Sequence, residues 1–166
     1  MLMGIVNFLY CKRRATSVQN AFRESNNSYR EFLKIAERRA IEVLPDYRIV
    51  WQNAYRLQNL LLTRTHLRFE YLKGNRQLGS VTSRSIASIE ERLDKAWTVT
   101  EEAKLRESLP LYREITCEID DIKSKWDPLA VSTEMISALE RDSEYRSARI
   151  ALSEGAQRRR AKLGGV

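Results

Sequence analysis

Few residues of this chain have the chemistry and spacing that a catalytic or metal site requires. The sequence holds one histidine, His66, and two cysteines, Cys11 and Cys117, which lie far apart. A structural zinc site needs four convergent ligands, and a ferritin-like di-iron site needs two Glu-x-x-His pairs. We therefore predict neither kind of metal site. His66 precedes Glu70 by four residues, a spacing that predicts a solvent-facing pair on one helix.

A second candidate is a line of acidic residues, namely Glu107, Glu114, Glu118 and Asp121. Carboxylates at such spacing can hold Mg²⁺ or act as general acid and base. The same spacing is typical of a solvated helix face, or of counter-charges to arginines such as Arg48 and Arg56, and we favour that interpretation. The sequence has no glycine-rich phosphate loop and no nucleophile elbow. We thus expect a protein that is not an enzyme and that uses no metal or cofactor.

Basic clusters are the third candidate feature. Two groups could contact an acidic partner or track phosphates, one formed by Lys12, Arg13 and Arg14 and the other by Arg158, Arg159, Arg160 and Lys162. Residues 1–76 carry 14 basic and 6 acidic groups, hence +8, whereas residues 77–154 carry 11 basic and 16 acidic groups, hence −5. Because a basic half can pair with an acidic half, the overall charge of +7 is weak evidence for nucleic acid.

The first eleven residues are mostly apolar and precede the first basic cluster. The side chains that could dock are Met1, Leu2, Ile5, Val6, Phe8 and Leu9. We favour docking in a protein core or groove over an interfacial membrane anchor with the basic cluster at the lipid headgroups. An apolar stretch before a basic one reverses the order of a secretory signal, and no run approaches the roughly 20 residues of a transmembrane helix. With no disulfide pattern, we expect the cytoplasm or another reducing compartment.

The element that must organise these features is a long helix predicted over 46–73. Its polar residues fall on one narrow stripe, and most of the remaining circumference is apolar, so it needs partners on two or three sides. Arg64 and Arg68 lie off the polar stripe. Buried arginine is rare unless paired, which leaves two hypotheses: salt bridges to the acidic helices, which we favour, or an anion site.

The other elements are also predicted to be helical. A first helix over 17–44 ends at Pro45, a third spans about 83–97, and a capping box at Thr98 starts another. At Pro110 the chain either kinks or restarts, and we favour a restart, while Asp127-Pro128 begins a further helix. We predict an all-α antiparallel bundle of four to five helices with the 46–73 helix at its centre. It forms a single domain over 1–154, followed by a basic, disordered tail over 155–166.

These patterns favour a helical scaffold, an adaptor or a small subunit of a larger assembly, with helix–helix contacts to the same or other chains. One alternative is an RNA- or DNA-binding protein that uses the basic N-terminal half and the arginine-rich tail. Another is a peripheral membrane protein anchored by residues 1–14. The direction in which the arginines point separates the first two hypotheses. Arginines on one exposed face favour nucleic acid, whereas arginines paired with the acidic helices favour internal pairing.

Overall fold

The protein is all-helical throughout the described residues. A computed structural model describes the backbone of residues 2–73 and 86–164, and the side chains of residues 19–73 and 89–163. Seven α-helices occur in these ranges: α1 Leu2–Val43, α2 Arg48–Leu72, α3 Ile86–Ala96, α4 Val99–Ser108, α5 Pro110–Lys125, α6 Thr133–Arg141 and α7 Ser143–Gly164. Two short 3-10 helices, Pro45–Tyr47 and Pro128–Ala130, complete the described secondary structure.

Helices α1 and α2 form an antiparallel hairpin. Pro45 ends α1 and starts the 3-10 turn, because the residue before a proline is disfavoured in the helical region. Arg23 pairs with Glu70, and Arg30 donates to Thr63 at 3.0 Å, so the partners advance along the two helices in opposite directions. The predicted central helix is confirmed to within two residues. The backbone of α1 is helical from Leu2, well before the predicted start at residue 17.

Local signals in the sequence explain most of the breaks between helices. Thr98 caps α4 by accepting a hydrogen bond from the backbone N–H of Glu101 at 3.2 Å, as its capping pattern predicts. Pro110 occupies the first turn of α5, so the restart is confirmed. The chain also breaks at Asp142, between α6 and α7, where we expected one continuous helix. The predicted count of four to five helices is therefore too low.

The C-terminal residues 155–164 are helical, which differs from the predicted disordered tail. Helix α7 continues through Gly164, and the side chains of Leu163 and Arg159 are only 3% and 7% exposed. The composition of the tail suggested too little apolar surface to fold alone. Helix α7 is a principal neighbour of α1. Packing against α1 therefore stabilises a segment whose own apolar surface is too small to fold alone.

The four longest helices are arranged in a row in the order α7–α1–α2–α5. Neighbours in the row make the main inter-helix contacts among the described residues, and no comparable contact joins α5 to α7. Each neighbouring pair is antiparallel. Between α1 and α7, for example, Arg39 pairs with Asp142 while Ser28 accepts a hydrogen bond from Arg159. Helix α3 packs across one end of the α1–α2 hairpin, where Ile89 and Leu93 join Phe22, Phe69 and Leu72.

This row covers the central helix incompletely. Trp51, Leu57, Phe69 and Leu72 of α2 are buried, but every residue from Asn59 to Arg68 is only half-buried. A closed ring of helices would bury a central apolar stripe on both sides, whereas an open row covers two sides and leaves the rest at the surface. The sequence predicted partners on two or three sides of this helix, and the row supplies partners on two of them.

Candidate functional site

The most organised polar cluster lies around Arg68, where α2, α4 and α5 meet. Arg68 donates to the phenol oxygen of Tyr112 at 2.8 Å and to Oε2 of Glu102 at 3.0 Å. Its guanidinium carbon lies 4.7 Å from the centre of the Trp97 ring. The ion-pair hypothesis is therefore confirmed for Arg68, with a cation–π contact that the sequence did not predict.

Glu102 is the hub of this cluster. Its carboxylate accepts hydrogen bonds from Arg68, from the indole N–H of Trp97 at 2.8 Å, from the hydroxyl of Tyr112 and from Arg106 at 3.1 Å. Burial alone would raise the pKa of Glu102, but the donors from Tyr112, Trp97 and Arg68 outweigh burial and lower it. Burial and the Glu102 carboxylate raise the pKa of Tyr112, so its hydroxyl stays a donor. Because one carboxylate accepts from several donors, the cluster joins helices α2, α4 and α5.

Arg64 lies one turn before Arg68 and is half-buried. Burial, followed by the positive charge of Arg68, lowers the pKa of Arg64. No carboxylate of the described residues forms an ion pair with it, although Glu102 and Asp120 are near enough to favour its charged form. The anion-site hypothesis for Arg64 stays a prediction.

Arginines of the basic N-terminal half pair across helices with acidic residues. The inter-helix pairs are Arg23–Glu70, Arg38–Glu144, Arg39–Asp142, Arg56–Glu118 and Arg68–Glu102. Four of these five pairs join α1 or α2 to the acidic part of the chain that follows residue 77. The basic and acidic halves are thus interleaved at these positions, and these arginines do not form a separate basic face.

The C-terminal basic cluster is divided by the helical periodicity of α7. Arg158, Arg160 and Lys162 are exposed, whereas Arg159 turns toward α1 and donates to the hydroxyl of Ser28 at 3.2 Å. Lys12, Arg13 and Arg14, and the predicted docking residues from Leu2 to Leu9, lie on the helical backbone of α1 with side chains outside the described ones. Met1 lies outside the described residues altogether.

His66 does not face solvent with Glu70 as its spacing predicted. Its ring is half-buried, its Nδ1 lies 3.0 Å from the side-chain nitrogen of Asn26, and it stacks on Phe22. Burial lowers the pKa of His66, so the ring is neutral at pH 7 and accepts the hydrogen bond from Asn26. We missed this contact because the α1–α2 register, which places Asn26 opposite His66, is not visible in either helix alone.

The acidic line on α4 and α5 does not converge. Glu118 pairs with Arg56 and Asp121 pairs with Lys125, while Glu107 and Glu114 are exposed. Among the described side chains, no group of three or more histidine, cysteine or acidic residues could hold a metal ion. An open groove of about 620 Å³ is lined by Glu37 of α1 and, on α2, by Gln52, Asn53, Tyr55, Arg56, Asn59, Leu60 and Thr63. None of these positions brings a nucleophile next to a base.

Partly buried apolar side chains between α2 and α5 are a further candidate for binding. Leu60, Leu61 and Leu67 of α2, together with Trp126 after α5, are half-buried against the core cluster of Leu57, Ile115, Ile119 and Ile122. We call these four half-buried residues the α2–α5 leucine patch. The indole nitrogen of Trp126 is buried and has no hydrogen-bond partner among the described residues. The sequence predicted that most of the circumference of this helix is apolar, but it did not show which leucines would stay partly exposed.

Comparisons with known proteins assign no class to this fold or to these surfaces. Protein-family models, curated proteins and solved structures give no match to the chain. Within the described ranges, no helix has the length and apolar character needed to cross a membrane. Any statement of function must therefore rest on the geometry above.

Proposed function

We propose that this protein is a non-enzymatic helical subunit or adaptor that assembles with other protein chains through helix–helix contacts. The observation that carries the proposal is the α2–α5 leucine patch. Its three leucines lie on the helix that the sequence predicts to be central, and this chain buries them only in part. Half-covered leucines beside a buried core resemble the rim of an interface more than an ordinary polar surface.

The row of helices suggests how a partner would bind. Helices α7, α1, α2 and α5 are antiparallel to their neighbours, and we propose that they are four members of an antiparallel bundle that a partner completes. An amphipathic helix lying along α2 and α5 would cover Leu60, Leu61 and Leu67 with its own apolar stripe. The apolar area removed from water would then drive association, at about 25 cal/mol per Å² before the costs of ordering are subtracted.

The arginine pairs favour this function over nucleic-acid binding. Five arginines of α1 and α2 already have carboxylate partners on other helices. Nucleic acid would have to compete with those partners, and surface phosphate contacts weaken steeply with salt. Arg158, Arg160 and Lys162 remain exposed on α7, but three charges can neutralise only a few phosphates.

The test is a quantitative pull-down with tagged full-length protein from its native cells. We compare the wild type with Leu61→Gln, which keeps a helix-forming side chain of similar length but makes the patch polar. Val99→Gln is the matched control, because Val99 is an apolar residue that is 89% exposed on α4. Circular dichroism first establishes that both variants melt as the wild type does.

We expect the wild type and Val99→Gln to capture the same proteins, and Leu61→Gln to lose at least one of them more than tenfold. A Leu61→Gln profile identical to the wild type would remove the patch from the account. If Leu61→Gln does not fold, Trp126→Gln takes its place at the opposite edge of the same patch, with the same expectation.

A further inference from the structure

Arg159 is the one arginine among the described residues whose side chain is buried, at 7% exposed. It lies on α7, faces α1 and donates from Nη1 to the hydroxyl of Ser28 at 3.2 Å. Its Nε is buried and has no hydrogen-bond partner among the described residues. A buried guanidinium with a single hydroxyl as its observed partner is an unusual arrangement, because burial of an uncompensated charge is costly.

A second arginine of the same helix pair shows what the Arg159 site lacks. Arg39 uses its Nε and Nη2 to hold the two oxygens of Asp142, at 3.0 and 2.6 Å. The Nε and Nη2 atoms of a guanidinium form a fork, and this fork binds carboxylate or phosphate through two parallel hydrogen bonds. At Arg159 the Ser28 contact occupies Nη1, and the Nε side of the fork has no acceptor within the described part of the chain.

No acidic side chain of the protein pairs with Arg159. All 22 aspartate and glutamate residues lie within the ranges whose side chains are described, and none of them forms an ion pair with Arg159. Glu154 is the last acid in the sequence, and it lies near the exposed Arg158 instead, at 3.9 Å. The acidic side chains thus supply no counter-charge to Arg159.

Gly155 leaves open the space that the guanidinium of Arg159 occupies. A Cβ atom at residue 155 would lie 3.2 Å from Nη1 of Arg159, which is tighter than most Cβ contacts, and at an ordinary contact distance of 3.7 Å from Nη2. The arginine thus folds back over the preceding turn of its own helix, in the space that glycine leaves open. With space left at Gly155 and a hydrogen bond to Ser28, the guanidinium lies in one defined position, which favours anion binding by preorganisation.

We propose that Arg159, with Ser28, binds a small phosphate-bearing anion between α1 and α7. Phosphate carries enough oxygens to meet the fork of Arg159 and the Ser28 hydroxyl at once. It also suits the surrounding charge, since Arg158, Arg160 and Lys162 follow Glu154 with no acid among them. The burial of Arg159 favours a free ion or a small phosphate ester over the backbone of a polymer.

The test measures the melting temperature of the full-length protein as inorganic phosphate replaces chloride at constant ionic strength. A ligand that binds only the folded state raises the free energy of unfolding. Once the ligand concentration exceeds the dissociation constant, the increase grows with the logarithm of that concentration. Phosphate also stabilises proteins generally by exclusion from their surface, so the comparison is with Arg159→Met, which keeps length but removes the charge. Arg158→Met is the matched control on the exposed face of the same turn.

We expect phosphate to raise the melting temperature of the wild type and of Arg158→Met by several degrees more than that of Arg159→Met. Acetate at the same concentration should give a smaller shift, and RNA should bind the wild type and Arg159→Met equally. An equal phosphate response in Arg159→Met, or an equal shift with acetate, would overturn the proposal.

A second variant covers the case in which Arg159→Met does not fold. Gly155→Ala displaces the guanidinium without removing it, because the new Cβ meets the flexible end of the arginine. Phosphorus NMR or calorimetry should then show phosphate affinity reduced at least threefold relative to the wild type. Unchanged affinity in Gly155→Ala would contradict the site as described.

Discussion

Arg39 and Asp142 are joined by two parallel hydrogen bonds, from Nε to Oδ1 at 3.0 Å and from Nη2 to Oδ2 at 2.6 Å. The pair links the C-terminal end of α1 to the break between α6 and α7. Oδ1 of Asp142 also accepts the backbone N–H of Tyr145 at 2.9 Å, which caps the start of α7. One carboxylate therefore starts α7 and fixes its position against α1.

The first prediction concerns the acid sensitivity of this link. Hydrogen bonds from Arg39, and next from the backbone N–H of Tyr145, lower the pKa of Asp142 from 3.8 to about 2. Because the folded-state pKa is the lower one, the pair stabilises the protein fully above pH 3.8, and this contribution is lost as the pH falls toward about 2. Thermal melts should show Asp142→Asn less stable than the wild type at neutral pH, with the difference narrowing at acid pH. A constant difference down to the acid limit would contradict the assignment.

Glu102 gives the second prediction. Replacing it with alanine leaves Arg68 partly buried without its carboxylate and removes acceptors from Trp97 and Tyr112. We expect Glu102→Ala to lower the free energy of unfolding by about 2–4 kcal/mol. This is less than the cost of breaking a fully buried pair, because the Arg68–Glu102 pair is partly exposed. Glu91→Ala is the control, since Glu91 pairs with Lys95 on an exposed face of α3. Urea denaturation with equal effects at the two positions would show that the cluster is not a structural hub.

A third prediction separates buried from half-buried apolar residues. Ile119 is completely buried beneath the α2–α5 leucine patch, whereas Leu61 is half-buried within it. We expect Ile119→Ala to cost about 2–5 kcal/mol and Leu61→Ala clearly less, because a half-exposed side chain leaves a smaller cavity and loses less transfer energy. Gln52→Ala, on the exposed side of α2, should cost almost nothing. If Leu61→Ala proves as costly as Ile119→Ala in urea, the patch is more deeply buried than described here.

The fourth prediction concerns residues 155–166. A disordered tail could be removed without effect, but α7 buries Leu163 against the rest of the protein. Truncation after Glu154 should therefore lower the melting temperature by several degrees, and Leu163→Ala alone should reproduce part of the loss. The exposed Arg160→Ala is the control. A truncated protein that melts with the wild type would restore the tail interpretation.

Sequence analysis predicted the helices well wherever a local signal marks their ends. Pro45 separates α1 from α2, and Thr98 and Pro110 mark the beginnings of α4 and α5, because capping and the missing N–H of proline act within one turn. The break at Asp142 was missed even though aspartate is a common cap. Its role depends on Arg39, which lies 103 residues earlier in the chain.

The candidate site was less predictable because its contacts join distant helices. The sequence indicated that Arg68 needs an acid, but not that Glu102 would also accept from Trp97 and Tyr112. Helical periodicity could have separated Arg159 from its exposed neighbours, had α7 been predicted to continue beyond Gly155. The composition of residues 155–166 concealed that continuation, since its stability comes from packing on α1.

The most direct test of the account is a pull-down of the tagged wild-type protein from its native cells, performed with and without nuclease and analysed by mass spectrometry. The account predicts a defined set of captured proteins that nuclease treatment leaves unchanged, since their contacts are made by helices. Loss of those proteins with nuclease, together with recovery of RNA or DNA from the untreated sample, would contradict a protein-assembly function and favour nucleic-acid binding.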